Sequence, residues 1–79
     1  MLHDLMEIGA LIGENVRAIR QKRRWSQEDL AFESGLHRTY VSGIERGARN
    51  PTAEVIEVLA IALSVKPAAL FAGWKKPEE

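Results

Sequence analysis

The sequence has 79 residues, 46% of them apolar and 28% charged, with eleven basic side chains against eleven acidic ones and no cysteine. That length holds one small domain, and the apolar share argues against disorder. The absence of thiols excludes a disulfide framework and a thiolate metal site.

Two separated histidines, His3 and His37, make no metal site either. No apolar run reaches membrane-spanning length, and Asp4 and Glu7 break any signal-peptide reading. A soluble cytoplasmic protein is expected, with no cofactor and no small-molecule ligand. A core this small is marginal by itself, and oligomerisation is a common remedy.

The zero net charge hides an uneven distribution. Residues 1–16 carry three acids and no Lys or Arg, and residues 17–49 carry eight basic and four acidic side chains. Residues 50–79 carry three basic and four acidic ones. Positive charge is concentrated in the middle of the chain, where its local field favours a polyanionic partner.

In chain order, Asp4 and Glu7 can form a capping box. Leu5, Ile8, Ile12, Val16 and Ile19 recur at spacings of three and four, one amphipathic face. Gly9 and Gly13 weaken the early part by about 1 kcal/mol each relative to alanine. A helix is therefore predicted from near 10 to 23, with the first nine residues frayed. Arg17, Arg20 and Arg24 form a basic stripe, readable as a solvated face or as phosphate contacts. Trp25 at the following corner reads as a core plug rather than a stacking platform.

Next comes SQEDLAFESGLHRTYVSGIER, Ser26 to Arg46. Ser26 suits an N-cap, and Glu28 and Asp29 place negative charge at the positive end of the helix dipole. Leu30, Ala31 and Phe32 supply the apolar contacts of a helix over 27–34, which Gly35 stops through a left-handed backbone. Leu36, Tyr40, Val41 and Ile44 restart a helical pattern over 37–46, and Gly47 can end it. Counting Gln27 as position one, an alanine falls at five, a glycine at nine, and Val41 and Ile44 at fifteen and eighteen. Two helices crossing steeply over a short turn need a small residue, a turn-former and two inward apolar anchors at those places. That spacing is a helix-turn-helix.

Pro51 cannot extend the preceding helix, and Thr52 suits the N-cap of another over 53–63. Ala53, Ile56, Leu59, Ala60 and Leu63 form one apolar stripe. Val55, Val58 and Ala62 form a second, while Glu54 and Glu57 share a third side with Ile61. Either the core wraps this helix or a partner covers the surplus stripe. Pro67 fits the first position of a short helix over 67–72 anchored by Leu70 and Phe71 and ended by Gly73. Trp74 follows, and the charged tail 75–79 is expected to be disordered. The whole is an all-α, compact five-helix domain spanning 1–79.

The run from Ser26 to Arg46 resembles the Cro/repressor-type helix-turn-helix family, with a lambda-repressor-like fold, over roughly Ile12 to Phe71. Within it, LHRTYVSGIERGARNP is similar to the controller proteins of bacterial restriction–modification systems. The resemblance rests chiefly on Arg38-Thr39-Tyr40, Ser42-Gly43-Ile44-Glu45-Arg46 and Arg49-Asn50. It implies a DNA-binding transcriptional regulator that acts on a palindromic operator as a homodimer, with RNA polymerase as a further candidate partner.

In a helix-turn-helix the second helix enters the major groove and its N-terminal residues face base edges. Those residues are His37, Arg38, Thr39, Tyr40 and Ser42. Arg38 can donate two parallel hydrogen bonds to guanine, and Thr39 can meet a thymine methyl or a phosphate. Tyr40 is open between core packing and a phosphate bond, and His37 between a cap and a phosphate neighbour. Ser26 and Gln27 open the first motif helix, where backbone N–H groups favour phosphate. The resemblance adds Arg46, Arg49 and Asn50 to the DNA-facing set and makes Glu45 an internally paired glutamate. Gly43 costs helix stability, which a close approach by another backbone would explain.

For the homodimer the expected surface is Val55, Val58, Ile61, Ala62, Leu70, Phe71 and Trp74. No nucleophile elbow, metal spacing or phosphate loop supports an enzyme. The rival reading is a protein-interaction module, such as an antitoxin, acting through the apolar C-terminal helices.

Overall fold

The computed structural model describes residues 2–76, with side chains from Ile8 onward. Four α-helices, α1 (Leu2–Lys22), α2 (Gln27–Ser34), α3 (Arg38–Glu45) and α4 (Ala53–Leu63), are followed by a 3-10 helix, Pro67–Phe71. The expected fifth helix is thus a 3-10 turn. Pro67 starts it, but five residues give too few i to i+4 bonds to hold an α-helix. The capping box expected at Asp4 and Glu7 involves side chains outside the described residues.

Ile12, Val16, Leu30, Val41, Ile44, Leu59, Ala60, Leu63 and Leu70 form the buried core. Every helix contributes to it. α1 lies against α3 and the 3-10 helix, while α2 packs on α3 and α4. The inward anchors expected of the motif, Val41 and Ile44, are fully buried.

Local chemistry sets the ends of these elements. Ser26 Oγ accepts the Asp29 N–H at 3.0 Å, and Asp29 Oδ2 accepts the Ser26 N–H at 2.7 Å. This reciprocal capping box opens α2 and is of the kind worth about 1 kcal/mol. Gly35 closes α2 at φ +77° while its N–H donates to Ala31 O. Thr52 caps α4 by accepting the Val55 N–H. α1 ends differently: Trp25 N–H reaches back to Arg20 O and Arg24 N–H to Gln21 O, a Schellman closure. It places Arg24, not a glycine, at φ +62°.

Three expectations about the first half change. α1 begins at Leu2 rather than near residue 10. Gly9 and Gly13 are not mere weak points in it. A Cβ on Gly13 would stand 2.2 Å from Ile44 O and 2.8 Å from Glu45 O, so α1 crosses the end of α3 backbone to backbone. Phe32 does not join the core; it is 84% exposed, because α2 is only two turns long and spends its inner face on Leu30 and Ala31.

α1 is further tied to the 3-10 turn. Asn15 Nδ2, on α1, donates to Leu70 O at 2.9 Å and Ala72 O at 3.0 Å. The carbonyls of the 3-10 turn, which its own short ladder leaves free, are satisfied by a side chain more than fifty residues away. The Leu70 side chain is wholly buried. It therefore belongs to the core of one chain and is removed from the expected dimer surface.

Candidate nucleic-acid interface

A single buried carboxylate fixes the attitude of α3. Glu45, the last residue of that helix, is 5% exposed. Arg20 on α1 clamps it with both prongs, Nε to Oε2 at 2.6 Å and Nη2 to Oε1 at 2.9 Å. Gln27 at the start of α2 donates to Oε1 at 3.0 Å, and Arg17 makes a longer contact at 3.4 Å. The remaining Arg20 Nη1 donates to Trp25 O. Three helices thus converge on one side chain, with every buried side-chain polar atom of the described residues partnered.

Burial pushes the Glu45 carboxyl upward, but hydrogen bonds from Arg20, Gln27 and Arg17 outweigh that and hold it below the usual glutamate value. Its hydrogen bond to the same carboxylate raises Arg20 against the opposing effect of burial. Both groups are therefore charged across the physiological range.

This arrangement corrects the basic stripe. Arg20 is an interior clamp and unavailable to phosphate, Arg17 is half exposed at the rim, and Arg24 lies in solvent. Equal spacing along a helix does not mean equal exposure when a partner carboxylate sits opposite one member. Gln27 is likewise engaged: its amide nitrogen is spent on Glu45, and the side chain is half-buried. Ser26 is exposed, with its hydroxyl occupied as the α2 cap.

With the inner side of α3 fixed, its outer side presents the remaining candidates. His37 occupies the N-cap position without a side-chain cap bond, and His37, Arg38 and Thr39 are exposed. Ser42 is half-buried and its Oγ accepts Arg46 Nη1 at 2.8 Å, so this pair forms one polar unit a turn further on. Tyr40 is half-buried and packs its ring on the core. From the other side the Arg49 guanidinium carbon stands 5.4 Å from the centre of that ring, within cation–π range. Arg46, Arg49 and Asn50 are exposed in or beside the loop that leaves α3.

Two glycines shape that loop, a role that helix propensity conceals. A Cβ on Gly9 would lie 2.7 Å from Asn50 Oδ1, and one on Gly43 would lie 2.8 Å from Arg49 Cγ. The close approach expected at Gly43 is therefore real, but the neighbour is a side chain rather than a backbone. A small residue opposite a long polar one is the only sequence signal for it.

The dimer candidates divide by exposure. Ile61 is 71% and Trp74 53% exposed, Val58 is partly exposed, and Val55, Ala62 and Phe71 are half-buried against the core. Trp25 also packs on the core, as its plug reading requires, and the Arg23 guanidinium covers its ring at 4.2 Å. Among the described residues no cluster of acids and histidines could hold a metal ion, and no helix is long and apolar enough to cross a membrane.

Comparison with known proteins agrees with this geometry. Residues 16–70 match the helix-turn-helix family profile. The chain is 53% identical over 65 residues to control protein C.BamHI of Bacillus amyloliquefaciens, covering 81% of this chain and 80% of that one. The restriction-modification controller protein C.AhdI from Aeromonas hydrophila superposes with a TM-score of 0.78 at 46% identity, over 80% of this chain and 96% of that one. The controller protein C.Esp1396I, solved as a tetramer in complex with its natural 35 base-pair operator, gives 0.75 at 38% identity, over 81% and 84% of the two chains. These relatives are regulators rather than enzymes. With its clamped α3 and its extent of match, the chain belongs to the helix-turn-helix family and, within it, to the restriction–modification controller proteins.

Proposed function

We propose that this protein is a sequence-specific transcriptional regulator that binds a palindromic operator as a homodimer, in the bacterial cytoplasm, and controls the genes of a restriction–modification system. The observation that carries the reading is the exposed Arg38–Thr39 pair at the start of an α3 whose opposite side is locked to α1 and α2. A rigid helix with a free N-terminal edge is what major-groove readout requires. Arg38 serves as the base reader. Arg46 and Arg49 reach the DNA beside it, from the end of α3 and the loop that follows, and RNA polymerase is the further partner at the promoter. The family relationship favours this reading over an antitoxin-like interaction module.

Gel-shift titration against the DNA upstream of the protein's own gene tests it. Arg38→Ala is expected to lose about 1–3 kcal/mol on the specific duplex and to relax preference at one base pair per half-site. Equal losses on specific and random DNA would make Arg38 a phosphate clamp instead.

For the homodimer, the part of α4 facing away from the core supplies the surface, with Ile61 at its most exposed point and Val58 and Trp74 beside it. Two copies joined there must hold their α3 helices about 34 Å apart to read half-sites one turn apart. Ile61→Asp leaves the monomer core untouched yet would bury an unpaired carboxylate between subunits, at a cost of several kcal/mol. Sedimentation should show a folded monomer with much weaker operator binding. A dimer that survives both Ile61→Asp and Val58→Asp means the subunits meet elsewhere.

A further inference from the structure

Gly43 sits inside α3 with ordinary helical geometry; it is not among the residues at positive φ. No backbone conformation demands glycine there, and glycine weakens a helix. What the position supplies is space. Arg49 Cγ occupies a point 2.8 Å from where a Cβ would be, with Cδ and Nε at 3.6 Å. The stem of Arg49 therefore lies directly across the bare backbone of α3.

Both ends of that stem are held. At its root, the Ala48 and Arg49 N–H groups donate to Gly43 O at 2.9 and 3.2 Å. At its tip, the guanidinium reaches one turn back along α3 to Tyr40. A loop arginine free in solvent would lose several rotors' worth of entropy on reaching DNA; one already seated loses less. Arg46 is tethered separately, by Ser42, and owes nothing to this slot.

We propose that Gly43 is a specificity-determining position of the DNA-binding face, acting by leaving a slot across α3 that seats Arg49 over Tyr40. This rests on the DNA-binding reading above. Gly43 is a positioning residue and touches no DNA itself. The slot holds the Arg49 charge and the Tyr40 ring as one unit beside Arg38 and Thr39, instead of leaving the arginine to sweep the loop.

The consequence is that stability and recognition part company at this position. The blocking atoms belong to an exposed side chain that can swing away, so Gly43→Ala keeps the fold and gains helix propensity. What it loses is the seat.

The test uses a duplex recovered with the wild-type protein from a randomised pool, and a scrambled duplex of the same length. Affinities for both are measured by fluorescence anisotropy for wild type, Gly43→Ala, Arg49→Ala and the double variant, alongside thermal midpoints. Gly43→Ala is expected to keep or raise the midpoint while its preference for the selected duplex falls about 5- to 100-fold, the range for one lost specific contact. The double variant is expected to discriminate no worse than Arg49→Ala alone. Unchanged discrimination in Gly43→Ala overturns the proposal, as does a loss that persists in the Arg49→Ala background. Should the wild-type protein enrich no sequence, the DNA reading itself falls and this proposal with it.

Discussion

Glu45→Ala is expected to remove about 3–5 kcal/mol of folding stability, the usual cost of stranding a buried charge. The whole domain is worth roughly 4–12 kcal/mol at its length, so the variant stands near the edge of folding. Two effects add. Arg20, nine-tenths buried, loses the carboxylate that accepts two of its N–H groups, and Gln27 loses its acceptor as well. Denaturant titration should show a large drop in midpoint, and the exposed edge of α3 proposed to read DNA should loosen with it.

The same carboxylate gives stability a pH dependence whose sign is fixed. Glu45 is held below its usual value in the folded protein. Its contribution is therefore complete above the unfolded value of about 4.3 and is lost as pH falls below that toward the folded value. Glu45→Gln lacks this contribution at every pH. The stability gap between it and wild type should narrow as titrations move from about pH 7 to about pH 3. A gap that stays constant would mean that Glu45 is not the group being protonated.

Gly13→Ala is the second large effect, and it runs against helix propensity. In an isolated helix the change gains about 1 kcal/mol. Here the new methyl would meet two carbonyl oxygens and a carbonyl carbon of α3, the nearest at 2.2 Å. Backbone cannot swing aside as a side chain can, so α1 and α3 must separate by about 1 Å or more to restore ordinary contact. Overpacking of this kind costs about 1–3 kcal/mol, occasionally more. The separation also pulls Arg20 off Glu45, which places this site at the upper end. Gly9→Ala is the matched control. Its obstacle is the Asn50 side-chain oxygen, which can rotate away, so its midpoint should hold or rise. Equal effects at the two glycines would refute the backbone-crossing account.

What was legible in the sequence was local. Ser26, Gly35, Thr52 and Pro67 act on their own few residues, and each ends or starts an element where its chemistry says it should. Val41 and Ile44 were legible because a helix-turn-helix demands inward anchors at those two places. The misread residues take their meaning from a distant neighbour. Gly13 looks like a weak helix position until α3 is laid across it. Arg20 matches Arg17 and Arg24 in spacing and type, and only Glu45, 25 positions on, separates it from them. Phe32 looks like core because apolar residues usually pack, yet a two-turn helix has one inner face and Leu30 fills it. On the outer side of α3, the exposure of Arg38 and Thr39 was readable from motif position, whereas the tethering of Arg46 to Ser42 and of Arg49 to Tyr40 was not.

The Asn15 clasp on Leu70 and Ala72 carries a consequence for the order of events during synthesis. Joining α1 to the 3-10 turn closes a loop of more than fifty residues, and such closure comes late because its entropy is lost before its contacts are gained. The motif helices cannot settle much earlier, since Leu30, Val41 and Ile44 share their core with Leu59, Leu63 and Leu70. A ribosome that has just made α3 therefore carries an unfolded chain. The outer side of α3 takes its final place only once residues 70–72 have joined the core, so no half-made molecule presents it.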